Sequence, residues 1–110
     1  MNKRYSLTKK WIIQKTLKKG DSVKTPFFVC KYTPSPLDNP QFCIIISAKV
    51  SKKAVLRNKL KRRIKEVIRT NLNNWNLPYN ILILPYQKML NLPYSEILIE
   101  VNKLFKKISK

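Results

Sequence analysis

The side chains with the clearest chemical capability lie in one segment, Lys49–Arg69. Ten of its 21 residues are lysine or arginine, and Glu66 is its single acid. Arginine guanidinium groups can donate paired hydrogen bonds to phosphate oxygens, and lysine ammonium groups add point charge. Asn58, which lies among these cations, can contact a base edge or a ribose 2′-hydroxyl. The residue types in this segment therefore predict binding to the phosphates of a structured RNA.

The rest of the sequence offers little for catalysis by the protein itself. There is no histidine, and the five carboxylates are scattered along the chain at Asp21, Asp38, Glu66, Glu96 and Glu100. Metal-assisted hydrolysis needs clustered ligands, and acid–base chemistry near neutral pH most often uses histidine. The sequence thus argues against a metal nuclease, a histidine acid–base pair and a histidine-containing zinc site. We expect no metal or cofactor held by the protein.

The overall charge favours a polyanionic partner. The chain has 24 Lys and Arg residues against 5 Asp and Glu, which gives a formal net charge of +19. Such an excess destabilises the compact state by self-repulsion, so its presence indicates a binding function. A solvated helix face would mix signs, and a membrane-surface helix would carry Trp or Phe on its apolar side. DNA is not expected, because no helix-turn-helix, zinc finger or zipper pattern is present.

The basic segment has the periodicity of an amphipathic helix. Apolar residues recur at helical spacing and form one stripe, made of Leu56, Leu60, Ile64, Val67 and Ile68. At 100° per residue, cations wind along one flank of that helix. They are Arg57, Lys61, Lys65 and Arg69, with Asn58 and Arg62 beside them. One face should therefore pack on a core while the other stays cationic, and the asparagine-rich residues 71–76 should end the helix.

The remaining elements must form the scaffold for this helix. We predict a helix over residues 8–19, strands at Phe27–Tyr32, Phe42–Ser47 and Ile81–Leu84, and a last helix that opens at Leu92-Pro93. A proline-rich loop should span residues 33–40. The chain has 110 residues, the length of one domain. The order α-β-β-α-β-α predicts a single RNA-binding domain of the α+β sandwich class, with helices packed on a small sheet.

Local signals refine these elements. Thr8 or Ser6 should cap the first helix and Gly20 should end it. Phe42–Ser47 is continuously apolar up to its final serine, which is typical of a strand buried on both faces. Cys30 and Cys43 each lie inside an apolar run and are expected to be buried thiols.

Targeting signals are missing from the N-terminal residues. Residues 1–10 are polar and basic, and no apolar stretch of the kind found in a signal peptide follows them. The longest uncharged apolar run, Phe42–Ile46, is far below the ~20 residues of a membrane span. We therefore expect a cytoplasmic protein without a membrane partner.

Residues 57–66 carry a motif that resembles the signature of the bacterial ribonuclease P protein family. The family pattern is Arg-Asn-x-x-Lys-Arg-x-x-Arg-Glu, and this sequence matches it except that Lys65 replaces the last arginine. Lys49 and the Lys53-Ala54 pair are similar to the lysine-rich loop that precedes the signature helix in the family. The first helix ending at Gly20 and the amphipathic C-terminal helix also fit, so the resemblance covers nearly the whole chain.

The resemblance implies a function that composition alone does not show. The family's protein is the small subunit of a ribonucleoprotein endonuclease that removes the 5′ leader from precursor tRNA, with the active site and catalytic Mg²⁺ in the RNA subunit. Its partners would be that RNA subunit and precursor tRNA, including the 5′ leader. Its fold includes a left-handed βαβ crossover around the signature helix, where the general rule predicts a right-handed one. The RNA-contacting residues would be Lys49, Lys52, Lys53, Arg57, Asn58, Lys61, Arg62, Lys65 and Arg69.

The resemblance also implies a leader-binding cleft between the first helix and the sheet, where this sequence departs from the family. Ile13 and Leu17 stand where many members have two aromatics, although core packing would explain them equally. A tyrosine expected on the first strand falls at Lys31 without a gap, or at Tyr32 with a one-residue shift. Leader contact is then expected from Phe28, Tyr32 and lysines.

Two other classes of protein remain open at this point. A small basic ribosomal protein, or another structured-RNA-binding module without a catalytic role, would have the same size and charge. A stand-alone protein nuclease would need catalytic groups that the sequence lacks. Only the register of the motif separates the family from the first of these.

Overall fold

A computed structural model describes residues 5–37, 39–71 and 78–108 of the chain. In chain order its elements are helix α1 (Lys10–Lys19), strands β1 (Asp21–Lys24), β2 (Phe28–Pro34) and β3 (Gln41–Ile44), helix α2 (Ala54–Asn71), strand β4 (Tyr79–Pro85), a 3₁₀ helix (Gln87–Asn91) and helix α3 (Tyr94–Ile108). The predicted α+β class is confirmed. The sheet has one strand more than predicted.

The strands form one sheet in the order β1-β2-β4-β3. The pairs β1–β2 and β2–β4 are antiparallel, whereas β3 and β4 run parallel. Since α2 connects β3 to β4, the three elements form a βαβ unit, and α2 contacts the edge strand β3. The hand of this crossover stays a prediction from the family resemblance.

The apolar core lies on the face of the sheet covered by α2 and α3. The Phe42 and Phe105 rings meet there at 5.6 Å between centroids. The other buried members of this core include Phe28, Cys30, Ile44, Leu60, Ile64, Val67, Ile68, Ile81, Ile83, Ile97, Val101 and Leu104. Helix α1 lies on the opposite face, where Thr16 Oγ1 is 3.0 Å from Thr33 Oγ1 of β2. Within the described ranges no helix is long and apolar enough to cross a bilayer.

The start of α1 differs from the prediction. The helix begins at Lys10, and its N-cap Lys9 makes no side-chain capping hydrogen bond, so capping by Thr8 or Ser6 is wrong. The reason lies in the chain before it. Ser6 forms a parallel bridge with Phe42, and the Leu7 amide donates to the Phe42 carbonyl at 2.8 Å, which holds this segment extended beside β3.

The strands also differ from the sequence-based bounds. Strand β1 was not predicted, because the sequence DSVK is polar and only Val23 is partly buried. Strand β2 continues into the predicted loop, since Thr33 and Pro34 pair with β4. Strand β3 ends at Ile44 and alternates between half-buried and buried residues, so burial on both faces is wrong. It lies at the edge of the sheet.

Helix α2 is shorter at its N-terminus than the basic segment. It begins at Ala54, and Leu56 in its first turn is 39% exposed, so Leu56 does not belong to the buried stripe. The other four predicted members of the stripe are buried. Asn71 is the last helical residue, and residues 72–76 of the predicted terminator lie outside the described residues.

Candidate RNA interface

The burial pattern of α2 determines which way the side chains of the signature motif point. Leu60, Ile64 and Val67 are at most 1% exposed, and burying an aliphatic side chain of this size contributes roughly 1.5–3 kcal/mol. Because that stripe faces the core, the residues predicted to contact RNA lie on the accessible side of the helix. Asn58 and Arg62 are exposed, and Arg57, Lys61 and Lys65 are half-buried. The motif therefore presents four cations and one amide along a single accessible side of α2, the signature flank.

The loop before α2 is tied to the first of these residues. Arg57 Nη1 donates to the Ser51 carbonyl at 2.7 Å, and the Lys53 amide donates to Ser51 Oγ at 3.2 Å. Val50 is buried and anchors the other side of the loop. Lys49, Lys52 and Lys53 are exposed. The predicted loop lysines are thus held next to the start of the motif, in a position that Arg57 helps to fix.

The cationic flank of α2 lies along the edge strand β3. Burial raises the pKa of the Cys43 thiol, and the ammonium groups of Lys61 and Lys65 act in the opposite direction. Cys43 alternates with the buried Phe42 and Ile44, so it points to the α1 side of the sheet. The charges of Lys61 and Lys65 therefore act on a residue of that face of β3.

Arg69 differs from the other predicted contacts. Its guanidinium forms a two-point ion pair with Glu66, through Nε to Oε2 at 3.0 Å and Nη2 to Oε1. The hydrogen bonds from Arg69 hold the pKa of Glu66 below its usual range. Since both side chains are exposed, this pair adds little stability, but it neutralises most of the charge that Arg69 was predicted to offer.

The C-terminal end of α1 is fixed against β2. Lys31 Nζ donates to the Leu17 carbonyl at 2.8 Å, which satisfies an acceptor in the last turn of the helix. A Cβ atom on Gly20 would lie 2.5 Å from the Thr16 carbonyl oxygen and 3.0 Å from that of Tyr32. Gly20 ends the helix as predicted, and it does so because only glycine permits this close approach.

The structure separates the predicted cleft residues. Ile13, Leu17 and Lys31 are half-buried on or against α1. Phe28 is fully buried in the core, so its expected contact with a leader is wrong. Tyr32 alternates with Lys31 and packs against the same core, with its ring 5.3 Å from that of Tyr79. Lys31, rather than Tyr32, is the β2 side chain that faces α1, which favours the alignment without a gap.

Two features of this region were not predicted. The Ser51 carbonyl that receives Arg57 carries no sequence signal, because every residue has such a group. The Thr70 and Tyr94 hydroxyls, 2.7 Å apart, connect α2 to α3 and became recognisable only when the two helices were placed together. Across residues 5–37, 39–71 and 78–108, no three His, Cys, Asp or Glu residues come together as a possible metal site.

Comparisons with known proteins identify the family of this chain. The family model described as Ribonuclease P matches residues 1–109. The ribonuclease P protein component of Mycoplasma mobile is 31% identical over 109 residues, covering 99% of this chain and 94% of that protein. The corresponding protein of Petrotoga mobilis is 31% identical over 94 residues, covering 82% and 79%.

Solved structures give the same result. The Staphylococcus aureus RNase P protein is 29% identical with a TM-score of 0.81, covering 96% of this chain and 95% of that chain. The Thermotoga maritima RNase P protein has a TM-score of 0.85, covering 94% and 96%, and at 24% identity it supports the fold alone. The family model spans almost the full length, and the matched relatives carry the same fold. This chain therefore belongs to the ribonuclease P protein family.

Proposed function

We propose that this protein is the RNA-binding subunit of a ribonuclease P ribonucleoprotein, which removes the 5′ leader from precursor tRNA. The observation that carries the proposal is which side of α2 is buried and which side is accessible. Its buried stripe leaves Arg57, Asn58, Lys61, Arg62 and Lys65 together on one accessible flank. Charge-assisted bonds from this flank to phosphates would hold the RNA subunit, with the loop lysines adding contacts beside it. Such a function is expected in the cytoplasm.

In this proposal the RNA subunit carries the active site and binds the catalytic Mg²⁺. Among residues 5–37, 39–71 and 78–108 no three His, Cys, Asp or Glu residues come together, and Glu66 and Glu100 are paired with Arg69 and Lys103. The protein's contribution is therefore to neutralise phosphate charge and to position RNA. This would allow cleavage at lower Mg²⁺ concentration, since protein cations replace part of the counterion charge.

The leader is proposed to lie between α1 and the sheet, next to the signature flank. Lys31 forms the floor on β2, while Ile13 and Leu17 border it from α1. The ammonium groups of Lys61 and Lys65 are close enough to influence Cys43 on the same face. In this proposal a strand that leaves the cleft continues towards the cations of α2.

Reconstitution tests the proposal. The purified protein is mixed with the cognate RNA subunit and a precursor tRNA at low Mg²⁺, and the cleavage site is mapped. We expect correctly placed 5′ cleavage that is faster than with RNA alone, and less stimulation by Arg62→Ala at limiting protein. Binding without stimulation would indicate a structural RNA-binding module instead. Cleavage by the protein without any RNA subunit would indicate a protein nuclease, and either result would overturn the proposal.

A further inference from the structure

A second concave site lies beside α1, outside the interface described above. It is a cavity of about 460 Å³ between the N-terminal half of α1, the end of β2 and the loop that follows β2. This volume is in the range of ligand-binding pockets. None of its lining residues belongs to α2, and none was predicted as an RNA or leader contact.

The rim of this cavity is aromatic and cationic. Trp11 lines it and is 65% exposed, and Leu37 lines it and is 47% exposed. Lys9, the N-cap of α1, and Lys15 line the cavity together with Trp11, and the described residues that line it include no acid. A ligand here would therefore meet a π-face and two positive charges.

The floor of the cavity is a polar row across the sheet. Thr33 on β2 and Gln41 on β3 both pair in register with Asn80 on β4. Asn80 is 6% exposed, and the only hydrogen bond of its side-chain amide to the described residues is a 3.5 Å contact from Nδ2 to Thr33 Oγ1. The Gln41 amide has no hydrogen bond to the described residues. These amides leave both donors and acceptors for a ligand.

The walls of the cavity are already in place. The Ser35 amide donates to the Pro78 carbonyl at 2.9 Å, and the Leu37 amide donates to Ser35 Oγ at 3.1 Å. Pro34 and Pro36 restrict the backbone between these contacts. Preorganisation of this kind lowers the entropic cost of binding.

From these observations we infer that the cavity binds one unpaired nucleotide of an RNA strand. The base stacks on Trp11 and bonds to the Asn80 and Gln41 amides, and its flanking phosphates lie against Lys9 and Lys15. A lipid headgroup or an acidic peptide would use the cations but leave the aromatic face and the amide row without a role. The site is distinct from the signature flank and extends the proposed function to a second point of RNA contact.

The fluorescence of Trp11 can report directly on binding in the cavity. In a Trp75→Phe background Trp11 is the only tryptophan of the chain. Titration with a 5′-phosphorylated uridine trinucleotide should quench its emission with saturation. Tripolyphosphate at the same ionic strength carries charge without bases and should leave the emission unchanged. An equal response to both, or no saturable response to the trinucleotide, would overturn the inference.

Variants separate this pocket from general electrostatic attraction. With a labelled trinucleotide followed by anisotropy, Trp11→Ala should weaken binding roughly 5- to 100-fold, and Trp11→Phe should keep most of the affinity. Because Trp11 is largely exposed, neither change should alter the thermal melt. Lys15→Ala should weaken binding more than its matched control Lys18→Ala, which lies on the same helix outside the cavity. Equal losses would refute a defined site.

The last comparison distinguishes the two interfaces. Arg62→Ala removes a cation from the signature flank and should change the trinucleotide affinity less than about twofold. If Arg62→Ala abolishes trinucleotide binding while Trp11→Ala does not, the cavity is not the site, although the proposed function still stands. If Trp11→Ala abolishes it while reconstituted cleavage fails altogether, the cavity site stands without the proposed function.

Discussion

The salt dependence of the proposed binding to the RNA subunit would measure how many cations of α2 contact phosphate. Arg57, Lys61, Arg62 and Lys65 share the accessible flank, and each contact with a phosphate releases about one counterion. The perturbation is to neutralise one of them, Lys61→Ala. The control is Lys107→Ala, which removes the same charge from an exposed position near the end of α3. Both variants lower the net charge equally.

The expected magnitude follows from four contacts. At about 0.7–0.9 per phosphate, they predict a slope of log K against log[salt] near −3, before any contribution from the loop lysines. Raising salt from about 50 to about 200 mM should then weaken binding roughly 50- to 150-fold. Without Lys61 the slope should flatten by about 0.7–0.9, so the same change in salt costs about threefold less. Lys107→Ala should leave the slope nearly unchanged, since charges beyond ~10 Å are screened.

The assay is equilibrium binding of the labelled RNA subunit at five or more salt concentrations. Asn58→Ala provides a second control, because it removes an amide without changing charge. It should lower affinity at every salt concentration while the slope stays the same. Equal flattening by Lys61→Ala and Lys107→Ala would refute the reasoning, since diffuse charge and no defined helix face would then hold the RNA.

Other expectations follow from the same geometry. Leu60→Ala should cost roughly 2–5 kcal/mol of unfolding free energy through a core cavity, whereas Arg62→Ala should leave the thermal melt unchanged and weaken RNA binding by about 1–3 kcal/mol. Lys31→Met should destabilise the protein by roughly 1 kcal/mol and speed amide exchange in the last turn of α1, because the bond to the Leu17 carbonyl is lost; unchanged exchange there would contradict this role. Burial raises the pKa of Cys30 to about 12, so the unfolded chain ionises first. Stability should therefore fall as pH rises from about 9 towards 12, and Cys30→Val should flatten this fall in denaturant titrations; an unaltered profile would exclude the thiol as its cause.

The sequence was sufficient for α2 because two independent signals agreed there. The apolar stripe and the motif have the same helical period, so burial of Leu60 and Ile64 determined where Arg62 would point. Strand β1 could not be found in this way. Its four residues are stabilised by pairing with β2 at the sheet edge, and its side chains leave no apolar pattern.

The candidate sites were predicted unequally for a similar reason. The signature flank is local in sequence, and a single helix presents all of it. The cleft depends on which of two adjacent β2 residues faces α1, and a shift of one residue moves every side chain to the other face. The cavity beside α1 is built from α1, two strand ends and a loop. Only the register that pairs Thr33 and Gln41 with Asn80 brings these together.

The composition of the cleft has a consequence for how a leader would be held. Stacking on an aromatic contributes ~1–3 kcal/mol per base, and the cleft has Ile13, Leu17 and Lys31 where many family members have aromatics. Lys31 uses one of its three N–H donors on the Leu17 carbonyl, so two remain for a phosphate. Charge is therefore the main attraction left in this cleft. Leader affinity should then fall more steeply with salt than in a member with tyrosine at the Lys31 position, because a lysine–phosphate contact releases a counterion and a stacked base releases none.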